Sequence, residues 1–150
     1  MPEAPAGAAP RLVMAFDFGL RRIGVACGDT LSRTASPLAT VRAGTDGPHW
    51  DSVAALLRDW QPSLAVVGLP YNADGSESAM AAGARAFAAE LRARFGLPVE
   101  LIDERYSSLE AAARLRGARE SGLRRRRVAK SDVDAAAACV ILERWISEKT

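Results

Sequence analysis

Three carboxylates stand where ordinary packing would not put them. Asp17 closes the apolar run Leu12, Val13, Met14, Ala15, Phe16, and Asp103 with Glu104 closes a second run that begins at Val99. Asp134 shares a helical face with Ala138, Ile141 and Trp145, the apolar stripe of the last helix. Acids at the C-terminal ends of neighbouring strands lie where open α/β sheets bind ligands. Carboxylates that converge without a cation repel one another and take up protons, whereas a divalent metal stabilises the ionised cluster. All-oxygen ligation suits Mg²⁺ or Mn²⁺. No His-rich or Cys-rich set competes, because His49 is the only histidine and Cys27 and Cys139 lie far apart with no CxxC pair.

Each acid also has a plain structural alternative. Ser131-Asp132-Val133-Asp134 is an S-x-x-D capping pattern, so Asp134 can complete the first turn of its helix. Asp17 can bond to the Gly19 backbone as a turn residue, and Asp103 or Glu104 can pair with Arg105. Together, two strand-end acids and one on an apolar helical face fit the structural alternatives less well. Asp132 points about 200° away from Asp134 around a helix, which favours Asp134. Asp103 and Glu104 alternate across their strand, and the pattern leaves open which of them faces Asp17.

The elements that must position these acids can be read from apolar spacing. Residues 12–16 and 22–28 form two strands joined by a tight connection at 19–21, a hairpin. A third extended segment spans 37–42, with Pro37 restricted to an edge or a strand start. After a polar loop at 43–48, Val53, Leu56, Leu57 and Trp60 recur at helical spacing until Gln61-Pro62. A buried strand follows at 64–68. Met80, Ala84, Phe87, Leu91 and Phe95 mark a helix that Gly96-Leu97-Pro98 ends, and 99–103 is the next strand. Ser107 and Glu110 open a helix to about Arg116, and Ser131 opens the last, to about Ser147. The order βββαβαβαα, with right-handed crossovers, gives an α/β domain of ribonuclease H-like topology. Its sheet is mixed and five-stranded, three antiparallel strands then two parallel crossovers, flanked by helices.

The chain of 150 residues, 49% hydrophobic and 25% charged, suits one compact domain over 11–150. Residues 1–10 are expected to form a disordered Pro/Ala arm. No apolar run spans a bilayer and no signal peptide is evident, so the expected location is cytoplasmic and off the membrane. Both cysteines read as packing residues. The formal net charge of +2 hides an asymmetry: from Arg105 to Lys130 nine basic residues face two acids, a local +7, which leaves −5 for the rest. Such an Arg-rich stretch suits a phosphate-rich partner, its alternative being a solvated helix face.

Five motifs, in order, resemble the bacterial YqgF (RuvX) family: Asp17-Phe18-Gly19; Arg22-Ile23-Gly24-Val25-Ala26; Val67-Gly68-Leu69-Pro70 with Asp74-Gly75-Ser76-Glu77; Asp103-Glu104-Arg105; and Val133-Asp134-Ala135-Ala136-Ala137. The resemblance runs from about Leu12 to Trp145. Members of that family have the ribonuclease H-like fold and are described as Holliday junction resolvases related to RuvC, or as nucleases trimming the 5′ end of precursor 16S ribosomal RNA. Carried over by position, the resemblance makes Asp17, Glu104 and Asp134 the catalytic and metal-binding acids, and so selects Glu104 over Asp103. The basic position after D-x-G falls on Arg22. The extra N-terminal arm and the Arg-dense loop at 124–127 depart from the family pattern.

The resemblance implies phosphodiester hydrolysis with two divalent ions, Mg²⁺ or Mn²⁺. One would lower the pKa of the attacking water and the other stabilise the departing 3′ oxygen. Asp17 is expected to bridge them. Arg22, Arg105, Arg124, Arg125, Arg126, Arg127 and Lys130 are the expected phosphate contacts. The loop from Asn72 to Glu77 precedes a helix and could hold a phosphate, although Asp74 and Glu77 also fit an ordinary capping box. The expected partner is a four-way DNA junction or precursor rRNA, and the chain acts as a monomer or a homodimer. Two other readings compete. A noncatalytic nucleic-acid-binding or ribosome-assembly module would keep the fold and the basic surface. A sugar- or acetate-kinase-like ATPase also begins with D-x-G but needs two such domains.

Overall fold

The computed structural model describes residues 12–70, 79–103 and 130–149. Strand β1 (Leu12–Asp17) pairs antiparallel with β2 (Arg22–Asp29), and β2 with β3 (Thr34–Gly44). A two-residue strand, β4 (Gly47–Pro48), folds back on the end of β3. Helix α1 (Trp50–Trp60) leads to β5 (Leu64–Leu69), and α2 (Ala79–Phe95) leads to β6 (Val99–Asp103). The last helix is α3 (Lys130–Lys149). The sheet order is β4-β3-β2-β1-β5-β6, with β5 parallel to both β1 and β6.

The expected ribonuclease H-like α/β architecture is thus present, with one strand more than the five expected. The extra strand lies in the segment read as a polar loop. Its Gly47 takes φ 92°, a left-handed turn that apolar periodicity does not signal. Strand β3 is also longer than 37–42. It accommodates Pro37 because β4 covers only Ala43 and Gly44, so the missing N–H of Pro37 lies on an uncovered stretch of edge. The register steps from Ala39 opposite Val25 to Pro37 opposite Ala26, which leaves Leu38 as the bulged residue.

Both crossovers, β3 to β5 and β5 to β6, progress in the same direction across the sheet, so right-handed connections bring α1 and α2 to one face. That face carries Met14, Phe16, Ile23, Val25 and Val67 against Val53 of α1 and Phe87 and Leu91 of α2. The opposite face carries Val13, Ala15, Ala26 and Val66 against Ala138, Ile141, Leu142 and Trp145 of α3. Strand alternation therefore assigns every position of β1 and β2 to one helix layer or the other. Gln61, at φ 47°, ends α1 with its N–H on the Leu57 carbonyl at 2.8 Å. Gly96 closes α2 in the same manner onto Arg92 at 2.9 Å. The helix expected from Ser107 and the arm at 1–10 lie outside the described residues. Among the described residues, no helix is long and apolar enough to cross a membrane.

Candidate active site

Asp17 is the last residue of β1 and has the same parity as Val13 and Ala15, which puts it on the α3 side of the sheet. Phe18, next along, turns to the other side and packs on Phe87 of α2 with ring centroids 5.7 Å apart. Phe87 in turn stacks on Trp50 at 5.4 Å and meets Phe16 edge-on at 5.3 Å. The residue beside the acid is thus anchored in an aromatic cluster. Gly19 completes the motif for a steric reason: a Cβ there would collide with the Arg22 carbonyl oxygen, so the tight turn into β2 needs glycine.

The hairpin then sets the partners of Asp17. Its register partner across β2 is Gly24, and adjacent antiparallel residues have Cα atoms roughly 4.5–5.5 Å apart. A Cβ at Gly24 would overlap the backbone carbonyl of Asp134, so the first turns of α3 lie directly on the strand there. Asp134 and Asp17 are thereby brought to the two sides of one glycine, although 117 positions of sequence separate them.

Arg22, two residues before Gly24 and on the same face, donates from Nε to Asp134 Oδ2 at 2.6 Å. Both side chains are only partly exposed, at 38% and 23%. The Asp134 carboxylate thus meets a cation, which a half-buried acid requires. The face assignment made from spacing also holds: Ala138 and Ile141 are fully buried and Trp145 is 3% exposed.

Parallel pairing brings the C-terminal ends of β1, β5 and β6 to one edge. Phe16 is level with Val67, and Val67 with Leu101. Strands β1 and β6 are two places apart, roughly 10 Å. Strand β6 is described to Asp103; Glu104 and Arg105 lie outside the described residues, as do Arg124, Arg125, Arg126, Arg127 and the loop 72–77. Lys130 is the first residue of α3. Among the described residues no group of three or more acids, histidines or cysteines is gathered to hold a metal.

Pairing of β2 with β3 adds a residue that sequence reading overlooked. Arg42 is the register partner of Arg22 and is exposed, and the exposed Arg21 neighbours it, its carbonyl accepting from the Ala43 N–H at 2.9 Å. Like charges directly opposed across two strands are unfavourable unless something anionic lies between them. The only signal for Arg42 in the sequence was its place in an extended segment; its neighbour depended on register. Cys27 and Cys139 are buried, as expected of packing residues, and burial pushes the Cys27 thiol up from its ordinary value. Cys139 Sγ donates to Glu143 at 3.9 Å. The His49 ring lies 2.6 Å from Ser52 Oγ, at the start of α1.

Comparison with known proteins gives the family. The model described as "RuvX: Holliday junction resolvase" matches residues 11–148. A protein of Nitrosococcus oceani named "Putative pre-16S rRNA nuclease" is 42% identical over 147 residues, 98% of this chain and 93% of the relative. A relative of the same name from Edwardsiella ictaluri is 46% identical over 140 residues, covering 93% of this chain and 97% of its own. Among solved structures, Thermus thermophilus RuvC in complex with a Holliday junction substrate aligns with a TM-score of 0.56 at 18% identity, over 93% of this chain and 95% of that one. The fowlpox virus resolvase in complex with Holliday junction DNA aligns at 0.53 and 11% identity, over 92% and 98%. These two likenesses are of fold, and together with the family match over nearly the whole chain they lead to one conclusion: the chain belongs to the RuvX Holliday junction resolvase family.

Proposed function

We propose that the chain is a divalent-metal-dependent nuclease that hydrolyses phosphodiester bonds of structured nucleic acid, with Asp17, Glu104 and Asp134 as its metal-holding acids. The observation that supports this most directly is the seating of Asp134 against Gly24, opposite Asp17. Nothing in the packing of a helix on a sheet calls for two carboxylates at that contact. The donor chemistry fits a hard divalent cation, because Asp17 and Asp134 offer only oxygen and Arg22 already holds a positive charge on Asp134. Mg²⁺ or Mn²⁺, as two ions, would supply an activated water and charge neutralisation at the departing 3′ oxygen.

The chain's own residues have separate tasks in this reading. Asp17, held at the strand end by Phe18 and the Gly19 turn, keeps its carboxylate at a fixed height on the sheet edge. Asp134 is held by α3, whose buried face leaves the helix little freedom to shift. Arg22 and Arg42, register partners on the face that carries Asp134, form a basic border suited to hold the phosphates that flank the scissile bond. Arg105, Lys130 and the arginines at 124–127 are further candidates for phosphate contacts. Relatives named as pre-16S rRNA nucleases favour RNA as the substrate, and the family description favours a four-way DNA junction.

One observation favours a second reading. The Arg22–Asp134 ion pair already satisfies Asp134 as a structural acid, which suits a noncatalytic nucleic-acid-binding module. A single experiment separates the two. Wild type, Asp17→Ala and Asp134→Asn are incubated with labelled four-way junctions and with a precursor-rRNA 5′ segment, in Mn²⁺, Mg²⁺ or EDTA. The nuclease reading expects metal-dependent cleavage that each substitution lowers by about a hundredfold or more, with binding retained. Paired symmetrical cuts in the junction would identify a resolvase working as a dimer, since two cuts need two sites. Cleavage confined to RNA would identify rRNA maturation. Binding of either substrate without Asp17-dependent cutting would establish the noncatalytic module.

A further inference from the structure

The Arg22–Asp134 pair lies at the contact where the proposed site must hold its metal, and that juxtaposition has a consequence for Arg22. A guanidinium 2.6 Å from Asp134 Oδ2 competes for the carboxylate that a divalent cation would need. Two cations on one carboxylate repel each other in a half-buried site, so each weakens the other's hold. Arg22 is long, partly exposed and anchored by a strand backbone, so its head can leave without any change in the fold. On leaving, it has a defined neighbour: Arg42, its register partner on the same face of the sheet. Two guanidinium groups side by side are unfavourable alone and favourable around a phosphodiester.

Resting on the nuclease reading, we propose that Arg22 is the internal counter-ion of Asp134, held on the carboxylate until a divalent cation displaces it and then released beside Arg42 to grip a phosphate of the bound strand. Arg22 is in this sense a positioning residue. In the metal-free protein it holds the Asp134 carboxylate in place beside the Gly24 contact. With metal bound it becomes part of the phosphate-holding border, so metal and nucleic acid help each other to bind, a coupling that must be reciprocal. The ion pair costs metal affinity, which the phosphate contact of the released Arg22 offsets.

The test uses Mn²⁺ alone, titrated calorimetrically into the full-length wild type, Arg22→Gln, Arg22→Lys and Asp134→Asn, with thermal unfolding of each to verify folding. Removing the competing cation should tighten Mn²⁺ binding in Arg22→Gln by about five- to thirtyfold, the range for a half-exposed charge-assisted pair. Arg22→Lys, which keeps the charge, should stay near wild type, and Asp134→Asn should bind more weakly than wild type. An independent readout needs no variant: the Arg22 Nε–H of the wild type should exchange slowly with water in the metal-free protein and faster once Mg²⁺ is added. Equal or weaker Mn²⁺ binding by Arg22→Gln, or an Arg22 Nε–H insensitive to Mg²⁺, overturns the counter-ion role while a weakened Asp134→Asn keeps the nuclease reading intact. Mn²⁺ binding and cleavage both unaffected in Asp134→Asn overturn the two together.

Discussion

Gly24 has no side chain to hold α3 away from β2, and this brings Asp134 to the hairpin that carries Asp17. The missing methyl group makes an unusually direct prediction. Gly24→Ala inserts an atom where the Asp134 carbonyl stands, so either α3 shifts or β2 distorts. The expected cost is about 1–3 kcal/mol of stability, typical of overpacking, measurable by denaturant unfolding. Cleavage should fall further than stability, because the shift separates the two acids; activity retained at full rate in a stably folded Gly24→Ala would remove that contact from the mechanism. Cys27 gives a second prediction. Burial favours its neutral thiol, so the reactive thiolate is scarce at neutral pH. Alkylation by iodoacetamide at pH 7.5 should therefore be about tenfold or more slower than for a free thiol, and guanidinium should abolish the difference.

Helix α3 is the element on which the site depends most, since it alone covers one face of the sheet among the described helices. Ile141 and Leu142 are fully buried there, and Ala137 and Val140 are buried on its flank, so the helix is apolar over much more than one stripe. A helix clamped in this way behaves as a rigid arm for Asp134. Leu142→Ala or Ile141→Ala should cost about 2–5 kcal/mol, the range for a deleted buried side chain, and lower the thermal midpoint accordingly. An unchanged midpoint would mean that α3 repacks freely and cannot fix Asp134. The elements themselves were largely visible in the sequence: β1, α1, β5, α2, β6 and α3 fall within a few residues of the expected spans. The exceptions have local causes. Strand β4 turns on a left-handed glycine, and the extra length of β3 depends on the bulge at Leu38, and neither leaves a periodic trace.

For the molecule as a whole, the charge segregation sets how it should meet a polyanion. If the basic border holds phosphates, binding to either substrate in Ca²⁺ should weaken steeply with salt, as counterions are released for each phosphate contacted. Replacing Arg124, Arg125, Arg126 and Arg127 with alanine should reduce the slope of log K against log salt by up to about 3, read by fluorescence anisotropy. A slope unchanged by the quadruple substitution would assign those arginines to the solvated surface instead.

Which residues of one strand or helix share a face was legible before folding, because alternation along a strand and periodicity along a helix are local properties of the chain. That is why Asp17 could be singled out as an acid at a strand end and Asp134 as an acid on an apolar helical face, and why the ribonuclease H-like order of elements was readable. Which residues meet across those faces was not legible. Nothing near Arg22 in sequence indicates that its guanidinium reaches a carboxylate 112 positions away, or that Arg42 stands beside it. Those adjacencies follow from strand register and from the close approach of α3 at Gly24, and both are decided by the simultaneous packing of side chains remote in sequence. The types of the reactive groups belong to the sequence; their pairing, the Asp134 counter-ion included, belongs to the tertiary structure.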